Sequence, residues 1–314
     1  MARHFFGNVL TGYGTAANNR GENEGNITTL QKILWHGDSH TTVSAEAIRW
    51  AMRYYWQMHA PDETHELATN RYWDESVSPA DNKWRDENWT GWKTPDGRKF
   101  IDDDVLGFMR TEGAKEEGGN QPTEDKGKRR PTPKGGVNNR RGMLELTRAV
   151  STTPYGGDIT FNAKSGLKSN TSLYGTEVHA TRYQYGFALT PERLQKPERA
   201  LHVLTAICNL GEVAGNHSRF LYDFSPESMV LRWTHDFAPR LLYCFETPDP
   251  QTIIAPTLLQ RVRSGDIDSK ELVVGGSIAT TETGAELKAL GAAVHAGIKA
   301  ASEAMLGRMR GELA

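Results

Sequence analysis

Arg49 and Arg53 stand four residues apart in the run SAEAIRWAMRYYWQM, a spacing that stacks two cations on one face of a helix. Ala45, Ile48, Met52 and Tyr55 recur beside them at three- and four-residue intervals, which predicts an amphipathic helix whose apolar stripe leaves both arginines out. Ser44 is placed to cap this helix, with Glu46 in the first turn where the dipole favours an anion. From Thr15 to Val43 the chain reads as a polar loop rich in Gly and Asn. It carries Asn19, Arg20 and Lys32, and Gly21 and Gly25 leave backbone amides open to close approach. Paired helical cations, loop cations and accessible amides are the chemistry of phosphate binding. Arginines four apart are equally the ordinary mark of a solvated face, so these residues alone leave both readings open.

Other candidate chemistry is weaker. Asp102, Asp103 and Asp104 form a run of carboxylates that would invite a metal, yet consecutive side chains on a helix or a strand point different ways. His36 and His40 are four apart, but Gly37 and Asp38 between them argue against a helix that could align them on a metal. Cys208 and Cys244 each sit in an apolar run and read as buried free thiols. No metal, no cofactor and no catalytic residue is expected.

With 314 residues and 37% hydrophobic content the chain can bury a substantial core, while its mean hydropathy of −0.60 implies a polar surface. It contains no run of eighteen apolar residues and no signal-peptide core, so a cytoplasmic protein without membrane contact is expected. A net charge of −2 looks wrong for a partner of nucleic acid. Its distribution says otherwise: Pro61 to Arg110 holds seven Lys/Arg against twelve Asp/Glu, and Lys126 to Arg182 holds eleven against three. Such asymmetry places a positive footprint on one region.

The elements that must position these residues can be read in order. Phe5 to Leu10 is a first strand. Beyond Pro61, Trp73, Trp84, Trp89 and Trp92 lie among acids, a pattern better suited to packing a small core than to stacking bases. Thr111 to Arg141 is nearly devoid of apolar residues and predicts a disordered loop, its second half basic with Lys126, Lys128, Arg129, Arg130 and Lys134. Met143 to Val150, His179 to Leu189, Ser218 to Phe224 and Ser228 to Trp233 read as strands. A helix is expected from Pro191 to a cap at Gly211, and another from Glu286 to Met309.

The order Asn19-Arg20, Lys32 and then VSAEAIRWAMR (Val43 to Arg53) resembles the N-terminal signature of the backbone subunit of CRISPR Cascade complexes, the Cas-seven family of the RAMP superfamily, in its type I-B or DevR branch. Asp102 to Met109 resembles a D-D-D-x-x-G-x-M motif of the same family, and Leu272 to Ser277 its glycine-rich loop. The resemblance implies that Asn19, Arg20, Lys32, Ser44, Arg49 and Arg53 hold the sugar-phosphate backbone of a guide RNA. Trp50 stands where some relatives carry a basic residue. The resemblance also implies an α+β fold: a ferredoxin-like (RRM-like) palm, with its first strand and RNA-binding helix in residues 1–60, a helical or irregular finger insertion in 61–141 and the palm continuing through 142–314. A thumb hairpin is expected at about 155–174, with Lys164 and Lys168 as RNA-binding cations. Implied partners are crRNA, further copies of the chain, a large subunit, a handle-capping subunit, a processing endonuclease and, through the complex, target DNA in antiviral defence. Two rival expectations are a type III-like target-RNA endonuclease using Asp38, and a DNA-binding autoregulator.

Overall fold

The computed structural model describes residues 2–111, 137–163, 173–215 and 220–313. Strand β1 (His4–Thr11) is buried along its whole length, Phe5 and Val9 facing one core and Phe6 and Leu10 another. A strand apolar on both sides belongs at the centre of a sheet covered on both faces.

The stretch that reads as a polar loop is a series of strands: β2 (Gly14–Ala16), β3 (Arg20–Glu24), β4 (Ile27–Leu30), β5 (Lys32–Trp35) and β6 (Asp38–Val43). Its glycines make turns. Gly25 has φ +61°, and His36 and Gly37, at φ 52° and 97°, join β5 to β6 through the two-residue turn whose twist matches a hairpin. The β3–β4 ribbon is largely exposed, so no alternation of apolar residues announces it. Helix α1 (Ala45–His59) follows, and Ser44 caps it by accepting from the Ala47 N–H at 3.2 Å. Its buried face is Ile48, Ala51, Met52 and Trp56, with Ala45 and Tyr55 at the half-buried margin.

The insertion comprises β7 (Arg71–Asp74), β8 (Asp81–Trp84), the short helices α2 (Thr90–Lys93) and α3 (Ile101–Leu106), and the antiparallel pair β9 (Phe108–Thr111) and β10 (Val137–Arg140). Its tryptophans pack as expected: Trp89 stacks on Phe108 at 4.5 Å, Trp84 meets Trp89 edge-on at 5.3 Å, and Trp73 meets Trp50 at 6.0 Å.

Strands β11 (Glu145–Leu146) and β12 (Ala149–Ser151) replace the single strand expected over Met143 to Val150. Next come the hairpin β13 (Ile159–Ala163) and β14 (Leu173–Glu177), then β15 (His179–Thr181) and β16 (Tyr183–Leu189). The helix expected from Pro191 starts later. Pro191–Arg193 is one 3-10 turn, and α4 (Arg199–Cys208) begins only after Pro197, ending at Asn209 rather than Gly211. Residues 221–224 run outside any strand, anchored by buried Tyr222 and Phe224, before β17 (Pro226–Thr234). Helix α5 (Pro256–Arg263) and strand β18 (Leu272–Gly276) follow. Gly275 and Gly276 lie within β18, packed against Ala301 and the Glu227 carbonyl, so they serve close packing. The expected terminal helix is two, α6 (Glu282–Ala289) and α7 (Ile298–Leu313), because Gly291 at φ +104° ends the first and β19 (Ala293–His295) intervenes.

These strands form one large sheet in the order β19-β18-β17-β1-β16-β12-β6-β5, with β11 also on β16. Helices α1, α4 and α7 cover one face through Met52, Leu204 and Met305; α5 and α6 cover the other through Leu258 and Leu287. A second sheet, β13-β14-β4-β3, sets the hairpin beside the ribbon.

One short helix ties the insertion to this frame. All three α3 carboxylates are buried, and each has its own partners. Asp102 accepts from the Asn70 and Arg71 amides at 2.6 and 3.1 Å and from Arg53 Nε at 3.1 Å. Asp103 accepts from Asn70 Nδ2 at 2.9 Å and Trp89 Nε1 at 3.0 Å. Asp104 pairs with Arg140 Nη2 at 2.6 Å and Arg199 Nη1 at 2.8 Å, and takes the Gln195 amide at 3.0 Å. Among the described residues no group of three or more His, Cys, Asp or Glu could hold a metal ion.

Two outcomes follow. Asp104→Ala leaves Arg140 and Arg199 unpaired and should cost about 3–5 kcal/mol in urea unfolding. Burial, reinforced by Asp102, pushes the Asp103 carboxyl up to about 7 from an ordinary 3.8. The folded state then binds this proton more readily than the unfolded, so Asp103 withdraws stability as pH rises from about 4 to about 7. Asp103→Asn should flatten that fall in pH-dependent unfolding; an unchanged slope would place the titrating group elsewhere.

Candidate nucleic-acid interface

The residues that the sequence gathers into one phosphate site fall into two groups on different elements. Asn19, Arg20 and Lys32 lie where the ribbon leaves the large sheet. Asn19 adopts φ 58°, its amide donating to the Ala214 carbonyl at 3.2 Å and its side chain to Gln31 Oε1 at 2.7 Å. Arg20 opens β3, half-buried, and has no ion-pair partner among the described residues. Lys32 Nζ pairs with Glu177 Oε2 at 2.5 Å and lies 4.6 Å from the centre of the Tyr155 ring. Burial and the Glu177 charge both raise the Tyr155 hydroxyl, which therefore stays neutral.

Arg49 and Arg53 form the second group and do not face solvent as the helical spacing implies. Arg49 donates to the Leu106 carbonyl, a neutral partner, and the carboxylate of Glu46 offsets its charge only in part. Burial, and then repulsion from Arg53, lowers its pKa, the condition of a cation that an incoming anion would stabilise. It lines a groove of about 450 Å³ with Gly107, Met109, Asn139 and Arg141. Arg53 is committed instead to buried Asp102. Ser44 spends its hydroxyl on the helix cap, and Trp50 stacks on Tyr54 at 5.3 Å.

Lys164 and Lys168 lie outside the described residues, as do Lys126, Lys128, Arg129, Arg130 and Lys134. The base of the expected hairpin is described. Ile159, Phe161 and Leu173 occupy one face of β13–β14 and are exposed, Phe161 at 73%. Asp38 is an exposed residue of the β5–β6 turn, paired by register with Trp35.

Sequence reasoning missed Gln31 and Arg148. Arg148 Nη1 donates to Gln31 Oε1 at 3.2 Å and to Thr42 Oγ1 at 3.1 Å, both neutral acceptors, so its charge remains available beside Asn19. The signal was the interruption Thr147-Arg148 between two half-strands, which leaves an exposed cation between β11 and β12. Arg20 and Arg148 thus flank the Asn19–Gln31 bridge, and neither forms an ion pair with a carboxylate among the described residues. Charges so placed can take phosphate oxygens without giving up an existing ion pair.

No family model matches the chain. It is 46% identical over 321 residues, covering 98% of each chain, to the CRISPR-associated protein Cas7/Cst2/DevR of Myxococcus xanthus strain DK1622. Its fold is similar to that of a chain in a solved CRISPR RNA-guided surveillance complex, pre-nicking, with a TM-score of 0.58 at 10% identity over 98% of this chain and 100% of that one. A chain of another CRISPR RNA-guided surveillance complex gives a TM-score of 0.49 at 13% identity, over 98% of this chain and 99% of that one.

The two groups should separate in stability measurements. Arg53→Ala strands a buried carboxylate and should cost about 3 kcal/mol or more, whereas Arg20→Ala and Arg148→Ala should stay within about 0.5 kcal/mol of the parent. Urea titration of the three variants checks this; equal losses would mean that Arg20 or Arg148 is structural.

Proposed function

The chain belongs to the family of CRISPR-associated proteins Cas7/Cst2/DevR, and from that premise we propose that it is a guide-RNA-holding backbone subunit of a type I-B Cascade complex. The observation that carries the reading is the pair of cations, Arg20 and Arg148, which flank the Asn19–Gln31 bridge and form no ion pair among the described residues. Contacts of this kind engage the sugar-phosphate chain and are blind to base identity, so sequence reading is delegated to pairing by the bound guide. Arg49 in its groove adds a second contact, and Lys32 a third in which Glu177 shares the cation. Lys164 and Lys168, outside the described residues, are assigned to the same task.

In this reading the strands β17-β1-β16-β12, with α1 and α4 as their connections, are a ferredoxin-like palm. Their spatial order supports it. The segment between β7 and β10 is the finger, and β13–β14 is the thumb. The exposed apolar face of that hairpin suits contact with the next copy of the chain, and head-to-tail contacts repeat along one RNA until it ends. The large subunit, the handle-capping subunit and the processing endonuclease would join that filament, and target DNA would be met through it.

The subunit is read as a scaffold rather than a nuclease. Asp38 is exposed beside a tight turn, and its partner across the hairpin is Trp35 rather than a base or a second carboxylate. Target RNA incubated with the assembled complex and magnesium should remain intact, before and after Asp38→Asn.

The direct test is binding of unrelated single-stranded RNAs followed by fluorescence anisotropy against salt. Arg20→Ala and Arg148→Ala should each weaken every RNA alike and reduce the salt slope by about 0.7 for each phosphate no longer held. Weakening confined to particular sequences, or a preference for duplex DNA, would overturn the reading in favour of a sequence-specific regulator.

A further inference from the structure

A cavity of about 420 Å³ opens where the insertion meets the entry to α4, and none of Asn19, Arg20, Lys32 and Arg148 lines it. Three stretches of chain wall it: one ahead of β7 with His65 and Glu66, one between α2 and α3 with Asp96, Arg98 and Lys99, and one leading into α4 with Lys196 and Arg199. Four Lys/Arg side chains therefore share one small space with two carboxylates.

The local structure leaves much of that positive charge available. Lys99 donates from Nζ to the Thr94, Pro95 and Gly97 carbonyls at 3.2, 2.9 and 3.0 Å, closing the turn before α3 with neutral partners. Arg98 lays its guanidinium over the Phe100 ring at 4.7 Å and donates to the His65 carbonyl at 3.2 Å, one acceptor for a fork of five N–H groups. His65 accepts the Leu67 amide at Nδ1, at 3.2 Å, which places the hydrogen of the neutral ring on Nε2 and makes it a donor. Among the described residues only Arg199 of the four cations forms an ion pair, with buried Asp104 at 2.8 Å, and its buried Nε has no hydrogen-bond partner. Arg98 and Lys99 belong to the insertion, Lys196 and Arg199 to the approach to α4. Like charges thus stand on either side of the joint, and an anion between them would turn repulsion into attraction.

We propose that this cavity binds one phosphate group of a small soluble ligand, inorganic phosphate or a mononucleotide, and that the bound anion ties the insertion to α4. A phosphate monoester carries a charge of about −1.5 to −2 at pH 7 and three acceptor oxygens. The Arg98 fork can take two of those oxygens at once, and the Lys196 ammonium another. The volume lies in the range of small-ligand pockets, about 300–1,000 Å³. Glu66 and Asp96 decide between a small ligand and a polymer. A nucleic-acid strand running past them would bring its next phosphates against carboxylates, whereas a ligand that ends in the cavity avoids them, and the ribose hydroxyls of a mononucleotide can donate to them.

The test is calorimetric titration of the full chain with inorganic phosphate, AMP and adenosine at constant ionic strength. Phosphate or AMP should bind, and adenosine about tenfold or more weakly than AMP. Equal affinities for AMP and phosphate would identify the free ion as the occupant, and tighter AMP the nucleotide. Arg98→Gln and Lys196→Gln, both at exposed positions, should leave the urea midpoint without ligand unchanged and weaken phosphate and AMP about tenfold each. Hydrogen exchange over residues 95–100 should slow with AMP in the parent and not in the double variant. Absence of binding by both phosphate and AMP, or binding that both substitutions leave intact, would overturn the proposal. Displacement of AMP by single-stranded RNA, lost with the same substitutions, would overturn it in favour of a nucleic-acid contact. None of these results bears on the RNA test with Arg20→Ala and Arg148→Ala, so the two readings fail separately.

Discussion

Three buried carboxylates on one six-residue helix set the terms for the rest of the molecule. A buried carboxylate must be paired and hydrogen-bonded or it is strongly destabilising, and Asp102, Asp103 and Asp104 meet that demand by reaching in three directions. Asp102 takes Arg53 from the palm helix, Asp103 takes the Asn70 amide and the Trp89 indole from within the insertion, and Asp104 takes Arg140 and Arg199 from the strands and helix that flank it. The insertion is therefore fastened to the sheet's helical layer by charge as well as by its tryptophan core. The same pairing withdraws three arginines from the pool of free cations. What is left over for a ligand is decided by this helix as much as by the residues that would touch the ligand.

The large sheet supplies the complementary rigidity. β1 is buried on both faces, and toward one side of the sheet burial falls over β6 and then β5, which is half covered at the edge and leaves Leu34 81% exposed. An edge strand with open backbone groups is a liability unless something blunts it. Here the polar ribbon β3–β4, the hairpin β13–β14 and the cations around Gln31 crowd that end of the sheet. In the proposed reading, RNA runs along the edge where the packing is thinnest, while the two cores hold its contacts in place.

Much of this was legible in the sequence where local rules decide the outcome. β1 announced itself by a short, mainly apolar run, the start of α1 by Ser44, and the packing role of the tryptophans by their acidic company. The failures have definite causes. Residues 15–43 looked like loop because a mostly exposed ribbon shows no apolar alternation, and strand pairing leaves no other trace in one sequence. Pro197 delayed the start of one helix and Gly291 ended another, where apolar spacing alone would have run through both. Arg53 was correctly placed off the apolar stripe of α1, yet its partner Asp102 lies 49 residues away, and no spacing rule reaches that far. Arg148 was overlooked because its significance depends on Gln31 and Thr42, more than a hundred residues distant.

A chain of net charge −2 can still hold a polyanion if its compensation is uneven, and the contrast between Lys32 and Arg148 shows how. Lys32 already pairs with Glu177, so a phosphate arriving there gains a shared cation and gains repulsion from the carboxylate behind it; the net gain is small. Arg148 pairs with neutral oxygens, so a phosphate there meets an undivided charge. Glu177 has a second task, since it also accepts the Leu30 amide at 2.6 Å and thereby fixes the hairpin to the ribbon. Removing it would strengthen the local field at the expense of the geometry. In the proposed reading a modest grip is spread over a few cations while the remaining charges serve architecture. For a subunit repeating along one strand, as proposed, such a balance would be sufficient, because each copy after the first would bind at the high effective concentration set by its neighbours, and many weak contacts in register would sum to a firm hold.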